Sequence, residues 1–185
     1  MTSFDRRKLI ETVLYILEKT GGVDFYHTFK ILYYAEMKHL AKWGSKIISD
    51  DFCSLPYGPA PTKLYDAVKQ LGSPSPNGFL AQELDEAVRF AGEDAPQVLL
   101  GRRSPDMSYI STSESEALDA AIGENATLSF AALMQKSHDA AWEEAYKNGS
   151  GTKVISPLSM AKVMNADASI LEYIQEQELI KQSLS

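Results

Sequence analysis

The segment DFYHTFKILYYAEMKHLAKWG, Asp24–Gly44, has the strongest helical pattern in this 185-residue chain. Its apolar residues recur at helical spacing on one broad face, and others occupy the remaining faces. The two groups are Phe25, Phe29, Leu32, Tyr33 and Leu40, and Ile31, Tyr34 and Met37. Asp24 is suited to cap the first turn and Gly44 to end the last one. The pattern predicts a helix covered on more than one side, which would be the central helix of the fold.

An amphipathic helix is also predicted before this segment. Five apolar residues there share one face at helical spacing: Leu9, Ile10, Val13, Leu14 and Leu17. Gly21 and Gly22 follow the last turn, where a left-handed glycine commonly ends a helix.

Helices return in the second half of the chain. Ser113 and Glu116 have the spacing of a capping box. Two short helices are predicted to follow, the second capped by Asp139 or Ser137, with Trp142 one turn from Tyr146. Ser156-Pro157 opens a C-terminal helical extension over 156–182, whose last helix Asp167 would cap.

The stretch SLPYGPAP, Ser54–Pro61, interrupts these helical patterns with three prolines and a glycine. Pro59 and Pro61 restrict φ, and Gly58 permits a turn that a side chain would obstruct. We expect a stiff corner between a short strand and a helix, with Tyr57 held in a defined position.

The remaining segments predict a small amount of sheet. The segment SKIISDDFCSLPYGP, Ser45–Pro59, with its β-branched Ile47 and Ile48, is expected to be a brief strand or extended segment rather than a helix. Pro61 would supply the first turn of a helix that ends at Gly72. Phe79–Ser111 fits a small antiparallel hairpin or three-stranded sheet, with apolar runs at 98–100 and 109–110. The predicted fold is therefore mainly α, one domain over 1–185, built around a central buried helix with a small antiparallel sheet inserted.

Composition restricts the class of partner. The formal net charge is −7, which argues against nucleic-acid binding and favours basic partners. Cys53 is the one cysteine, so no internal disulfide forms, and no cysteine or histidine cluster indicates a metal. No apolar run has the length of a membrane span. We expect a cytoplasmic protein without a cofactor.

A catalytic role is not predicted, because the common nucleophile, phosphate-binding and metal motifs are missing. His27 and His39 are expected at a surface or an interface. Cys53 lies beside acidic residues that disfavour a thiolate, which favours a half-buried inert thiol over a thiol dyad with His138. Glu36 is placed near the core and is expected to pair with tyrosine hydroxyls. A hydrolase centred on Glu36 or Cys53 remains an alternative.

A DNA-binding regulator is a second alternative. Helices joined by the Gly21-Gly22 turn and followed by a hairpin could form a winged-helix layout. The basic runs are short, however, and consist of Arg6-Arg7-Lys8 and Arg102-Arg103.

Four segments in this order resemble the Panacea domain family, also called antitoxin SocA-like or phage-associated GepA-like. They are LYILEKTGGVDFYHTFKILYYAEMKHLAKWG, LPYGPAPTKLYDAVK, STSESEALDAAI and SHDAAWEEA, and the resemblance covers about 9–146. Its most specific parts are Tyr57-Gly58-Pro59 and the combination of His138-Asp139 with Trp142.

The resemblance implies a non-catalytic antitoxin in a bacterial cytoplasm that binds a cognate protein toxin directly. An adjacent gene would encode the toxin, and self-association or delivery of the partner to a protease would be variants of this role. Regulation of its own operon belongs to the alternative of a DNA-binding regulator. Tyr33 and Trp142 are expected in the core. Tyr26, Trp43 and Tyr57 are candidates for either the core or partner contact.

Overall fold

The computed structural model describes residues 1–147 and 153–183, so residues 148–152 and 184–185 of the predicted domain lie outside the described residues. The described helices are α1 (Ser3–Thr20), α2 (Phe25–Trp43), α3 (Thr62–Val68), α4 (Phe79–Ala87), α5 (Thr112–Asn125), α6 (Phe130–Ser137), α7 (Ala140–Lys147), α8 (Pro157–Val163) and α9 (Ala168–Ser183). The strands are β1 (Val23–Asp24), β2 (Phe52–Leu55), β3 (Gly58–Pro61), β4 (Val88–Phe90) and β5 (Val98–Gly101), and a 3₁₀ turn spans Met107–Tyr109. The mainly α fold with small antiparallel sheets is confirmed.

Helix α2 is the centre of the fold, as its sequence pattern predicts. It packs against α1, α5, α6, α8 and α9 and against the β2–β3 hairpin. The Asp24 side chain accepts a hydrogen bond from the His27 amide at 2.9 Å, and Gly44 ends the helix with a left-handed φ of 67°. The helix is therefore buried on several faces and bounded by the two predicted end residues.

The capping box of α5 begins two residues earlier than the sequence spacing suggests. Ser111 and Glu114 form it, whereas Ser113 lies beside the His39 ring with its hydroxyl 3.1 Å from Nε2. Glu114 also binds the Lys8 ammonium on α1 at 2.5 Å. Both serine–glutamate pairs have the same spacing, and this contact with α1 favours the earlier one.

A three-stranded antiparallel sheet has the order β1-β5-β4. The hairpin expected in 79–111 is present as β4 and β5, but 79–87 forms α4 and Tyr109 belongs to the 3₁₀ turn. Helix α4 was missed because it is short and buries small residues, Ala81 and Ala87, beside Leu84. Strand β1 has only two residues, too few to produce a periodic pattern.

The stretch predicted as a stiff corner is itself most of a β-hairpin. Strands β2 and β3 pair antiparallel with Leu55 opposite Gly58, and Pro56 and Tyr57 form the turn. Pro61 is the residue before α3 rather than in its first turn, and α3 ends at Val68, before Gly72.

The two prolines in β3 are tolerated because, among the described residues, β3 is an edge strand that pairs with β2 alone. The other side of β2 bonds to 153–155, through the Ser54 amide to the Lys153 carbonyl and the Ile155 amide to the Phe52 carbonyl. The brief strand expected within Ser45–Pro59 is present as β2, whereas Ile47 and Ile48 themselves are buried in bends before it.

None of the described helices is long and apolar enough to cross a membrane. The predicted start of α8 is confirmed, because the Ser156 hydroxyl accepts from the Leu158 amide at 3.1 Å and Pro157 is the first helical residue.

Candidate functional site

Three side chains from the helical core hold the turn of the β2–β3 hairpin, residues 55–59, which we call the tip. The Trp142 indole N–H donates to the Leu55 carbonyl at 3.0 Å. The Tyr26 hydroxyl donates to the Tyr57 carbonyl at 2.9 Å, and Lys30 Nζ donates to the Pro59 carbonyl at 2.7 Å. The tip is therefore fastened at both ends and in the middle.

Gly58 allows the tip to lie this close to the helices. Its φ is 93°, a left-handed value that L side chains rarely adopt. A Cβ atom there would overlap Ser137 Oγ and would lie 3.1 Å from Lys30 Cε and Nζ. The glycine is required by both the backbone conformation and the contact.

The junction between α6 and α7 supports the tip from beneath. The His138 ring stacks on the Trp142 ring with centroids 3.8 Å apart, and Trp142 stacks on Tyr146 at 4.5 Å. Asp139 Oδ1 accepts from the Trp142 amide at 3.0 Å and from the Tyr33 hydroxyl at 3.2 Å. Asp139 is thus the residue that caps α7, and Tyr33 and Trp142 are buried as expected.

Three aromatic rings cover the outer side of the tip, and we call them the aromatic surface: Tyr26, Tyr57 and Phe130. The Phe130 ring lies 4.4 Å from the Tyr26 ring and 6.1 Å from the Tyr57 ring. Tyr57 is 64% exposed and Phe130 is 48% exposed, while Tyr26 is half-buried. Trp43 is also exposed, but it lies about 25 Å from Tyr26 along α2. The site therefore contains Tyr26 and Tyr57 and excludes Trp43.

Sequence reasoning missed two residues of this site, Phe130 and the more deeply buried Lys30. Its side chain is 1% exposed, and Nζ lies 4.4 Å from the centre of the Tyr26 ring. Burial lowers the pKa of the amine to about 7. Its position between Phe29 and Ile31, one turn from Tyr26, was the available signal, because a lysine on an apolar helical face must find an acceptor.

The two segments most specific to the sequence resemblance, Tyr57–Pro59 and His138–Trp142, thus meet in one structural unit. A family model described as antitoxin SocA-like, Panacea domain, matches residues 29–143, more than half of the chain. The chain belongs to this family. No curated protein and no solved structure matches it.

The matched part of this Panacea domain contains most of the site. It includes the tip, Lys30, Phe130 and Trp142, whereas Tyr26 lies just before it. Helices α1, α8 and α9 lie outside the matched residues.

Glu36 has a separate role from the tip. It is 1% exposed, and Oε2 accepts from the Ile47 amide at 2.9 Å and the Ile48 amide at 3.3 Å. The expectation of tyrosine partners is therefore wrong, because the loop after α2 folds back and brings its own amides to the carboxylate. Burial raises the pKa of Glu36 to about 7, while the Lys46 charge and the two amides oppose the shift.

The buried carboxyl of Glu36 makes a testable contribution to the pH dependence of stability. The pKa is higher in the folded state than its ordinary 4.5, so the contribution is complete below pH 4.5 and is lost as the pH rises through 7. The size of the shift corresponds to about 3 kcal/mol. Glu36→Gln keeps an oxygen acceptor without the charge, and should remove this slope between pH 4.5 and 7.

Urea unfolding at several pH values measures the effect. The exposed Glu172→Gln is the matched control and should retain the wild-type slope. An unchanged slope in Glu36→Gln would contradict the assignment.

The histidines expected at a surface or an interface, His27 and His39, are instead buried and hydrogen-bonded within the chain. His27 Nδ1 lies 2.7 Å from Asp24 Oδ2 and Nε2 lies 2.8 Å from the Leu128 carbonyl. His39 Nδ1 lies 2.7 Å from the Ser45 carbonyl. Each ring connects α2 to a neighbouring loop, which gives both histidines a structural role.

Cys53 is buried in β2 with Sγ 3.0 Å from the Thr62 hydroxyl. Within 1–147 and 153–183, no group of three or more histidine, cysteine or acidic residues could hold a metal ion.

Proposed function

We propose that this Panacea-domain protein is an antitoxin that neutralises a cognate protein toxin by direct binding, with the aromatic surface as the contact. The observation that carries the proposal is Tyr57, which is 64% exposed on a tip whose backbone three core side chains hold in place. Rigid, exposed aromatic residues lose little entropy on binding and dominate many protein interfaces. Family membership supports the antitoxin role.

Binding rather than catalysis is the proposed role. Burial shifts the pKa values of Lys30 and Glu36 to about 7, and both side chains are almost completely buried and bound to backbone atoms. Asp139 is engaged by Tyr33 and by an amide of α7. A catalytic group needs access to its substrate, which these groups lack in the closed fold.

Charge supports a basic protein partner over DNA. The net charge is −7, and arginines from both short basic runs bind carboxylates of this chain. Arg103 Nη2 lies 2.6 Å from Glu11 Oε1, and Arg6 Nη2 lies 2.8 Å from Glu83 Oε1. An acidic surface speeds the encounter with a basic toxin.

Co-expression tests the proposal. The gene adjacent to this one, expressed alone, should arrest growth, and co-expression with the wild-type chain should restore growth and co-purify both proteins. A harmless neighbour that does not co-purify would contradict the antitoxin role. A specific shift of upstream DNA at moderate salt would instead favour the regulator.

Tyr57→Ala should abolish rescue while leaving the fold intact, because the ring is exposed and the tip is held through backbone carbonyls. We expect an affinity loss of about 30-fold, typical of an interface hot spot. Calorimetry with the purified toxin and thermal unfolding measure the two effects. Trp43→Ala removes another half-exposed aromatic ring far from the tip and should rescue normally. Full rescue by Tyr57→Ala would exclude the aromatic surface as the contact.

A further inference from the structure

The buried amine of Lys30 lies directly beneath the tip. Among the described residues its acceptor is the Pro59 carbonyl, at 2.7 Å, and the Tyr26 ring covers another side at 4.4 Å. Gly58 passes so close that even a methyl group would contact Nζ. The amine is therefore enclosed by α2 on one side and by the tip on the other.

We infer that Lys30 is the positioning residue of the aromatic surface. Its uncharged amine holds the tip against the helices, which we call the seated form, and between pH 7 and 10 each opening of the tip is accompanied by uptake of a proton on Lys30. The inference rests on the proposed function in so far as the seated tip is the form that presents Tyr57 to a partner. The pairing of Lys30 with the tip makes the presentation of Tyr57 depend on pH, which exposed tyrosines alone would not do.

Within the part of the chain that the structure describes, the neighbours of Lys30 offer no countercharge for an ammonium. From its own helix Tyr26 faces it, and from the α6–α7 junction Ser137 and His138 do. From β3 the contact is a carbonyl. Asp139, the next residue along the junction, binds Tyr33 and the Trp142 amide instead.

Because the Lys30 amine is enclosed, its charged form is energetically unfavourable. An ammonium has three donors, and a buried one that finds one carbonyl is poorly solvated. Burial accordingly lowers the pKa of Lys30 from 10.5 to about 7 in the seated form. In an open tip the amine would reach water and regain an ordinary pKa, so opening binds a proton in the interval between the two values.

The difference between the pKa of Lys30 in the seated form and in the open form determines how pH affects opening of the tip. Between pH 7 and 10 the open form holds more protons than the seated form, so raising the pH favours the seated tip. Below about pH 7 both forms are charged, and the dependence levels off. Tyr26 and His138 stay neutral from pH 7 to 9, because burial raises the pKa of the first and lowers that of the second.

When Lys30 becomes charged, we expect the tip to move away from the amine, rather than helix α2 to move. Strand β3 pairs on one side only, and the turn residue Tyr57 projects into solvent. Helix α2, in contrast, is packed by helices on several sides. Small openings of the hairpin are therefore easier than movement of the lysine backbone.

Native-state amide hydrogen exchange at Gly58 and Ala60 tests the inference on the isolated protein. After correction for the intrinsic rate, the opening constant of the wild type should fall about tenfold per pH unit from pH 7 to 9. Lys30→Met, which fills the site without a titratable group, should show no such slope. Lys38→Met on the same helix, and His138→Gln beside the amine, should both keep it.

A second measurement does not depend on a folded variant. The ¹³Cε resonance of Lys30 in the wild type should titrate near pH 7. A Lys30 midpoint near 10, a flat wild-type opening constant, or a slope that persists in Lys30→Met would each overturn the inference.

Partner binding provides the functional readout. Lys30→Arg keeps a charge throughout this pH range, so its tip should open more often at every pH and its toxin affinity should be weaker than that of the wild type at pH 9. Equal affinities of Lys30→Arg and wild type at pH 9 would contradict the positioning role. Normal rescue by Tyr57→Ala would refute the proposed contact surface but not the inference about Lys30. The hydrogen-exchange experiment tests that inference without a partner.

Discussion

Replacing Trp142 with alanine is expected to lower the free energy of unfolding by about 4 kcal/mol, the largest effect of any single substitution considered at the site. The indole is buried, stacks on His138 and Tyr146, and donates to the Leu55 carbonyl at 3.0 Å. Truncation leaves a cavity under the tip and a carbonyl without its donor. Urea unfolding should show the loss of stability, and toxin rescue should fail as well.

Two further variants separate the causes of this loss. Trp142→Phe keeps an aromatic ring for the stack but lacks the N–H, so it should lose about 1.5 kcal/mol. Trp43→Ala removes a 50% exposed indole and should change stability by less than about 0.5 kcal/mol. If Trp142→Ala were as mild as Trp43→Ala, the tip would not depend on the α6–α7 junction.

Gly58→Ala is expected to destabilise the protein by about 3 kcal/mol and to displace the tip. One part of the cost is the φ of 93°, and the other is the overlap of the new methyl group with Ser137 Oγ and its approach to Lys30. Because the tip presents Tyr57, we expect rescue to be lost together with stability.

Gly78→Ala is a matched control for the cost of placing an alanine at a left-handed φ. Its φ is 91°, and nothing lies within 4 Å of a Cβ built there, so Gly78→Ala should cost only about 1 kcal/mol. Thermal and urea unfolding measure the loss of stability in each variant. The difference between the two losses is the cost of the contact of the new methyl group with Ser137 and Lys30. Ser137→Gly in the Gly58→Ala background should recover part of it. Equal losses in Gly58→Ala and Gly78→Ala would refute the close seating of the tip.

Much of the fold was predictable from local signals. The central helix has its predicted boundaries because Asp24 and Gly44 act on the adjacent turns, and the start of α8 at Ser156-Pro157 is equally local. The small hairpin in 79–111 was predicted as a type of structure, although α4 was not. The error in the capping box of α5 arose where two local patterns were equivalent and a contact with Lys8 favoured one of them.

The candidate site was only partly predictable. Tyr57, Gly58 and Pro59 were identified from their unusual composition, and His138, Asp139 and Trp142 from the family resemblance. Lys30 was missed, and Trp43 was included although it lies at the opposite end of α2. Proximity between segments 80 residues apart in the chain leaves no periodic signal, and a single sequence does not reveal which polar group supplies an acceptor for a buried amine.

The amino-acid sequence by itself determined the helical class, the ends of α2 and the presence of a glycine–proline turn at the tip, because these depend on side chains within a few residues of one another. Only the tertiary structure decided that the tip lies on Lys30, Tyr26 and Trp142, that Glu36 binds loop amides, and that His27 and His39 are internal. Those pairings depend on which buried polar groups come within hydrogen-bond distance when the helices pack, and burial makes each unpaired alternative costly.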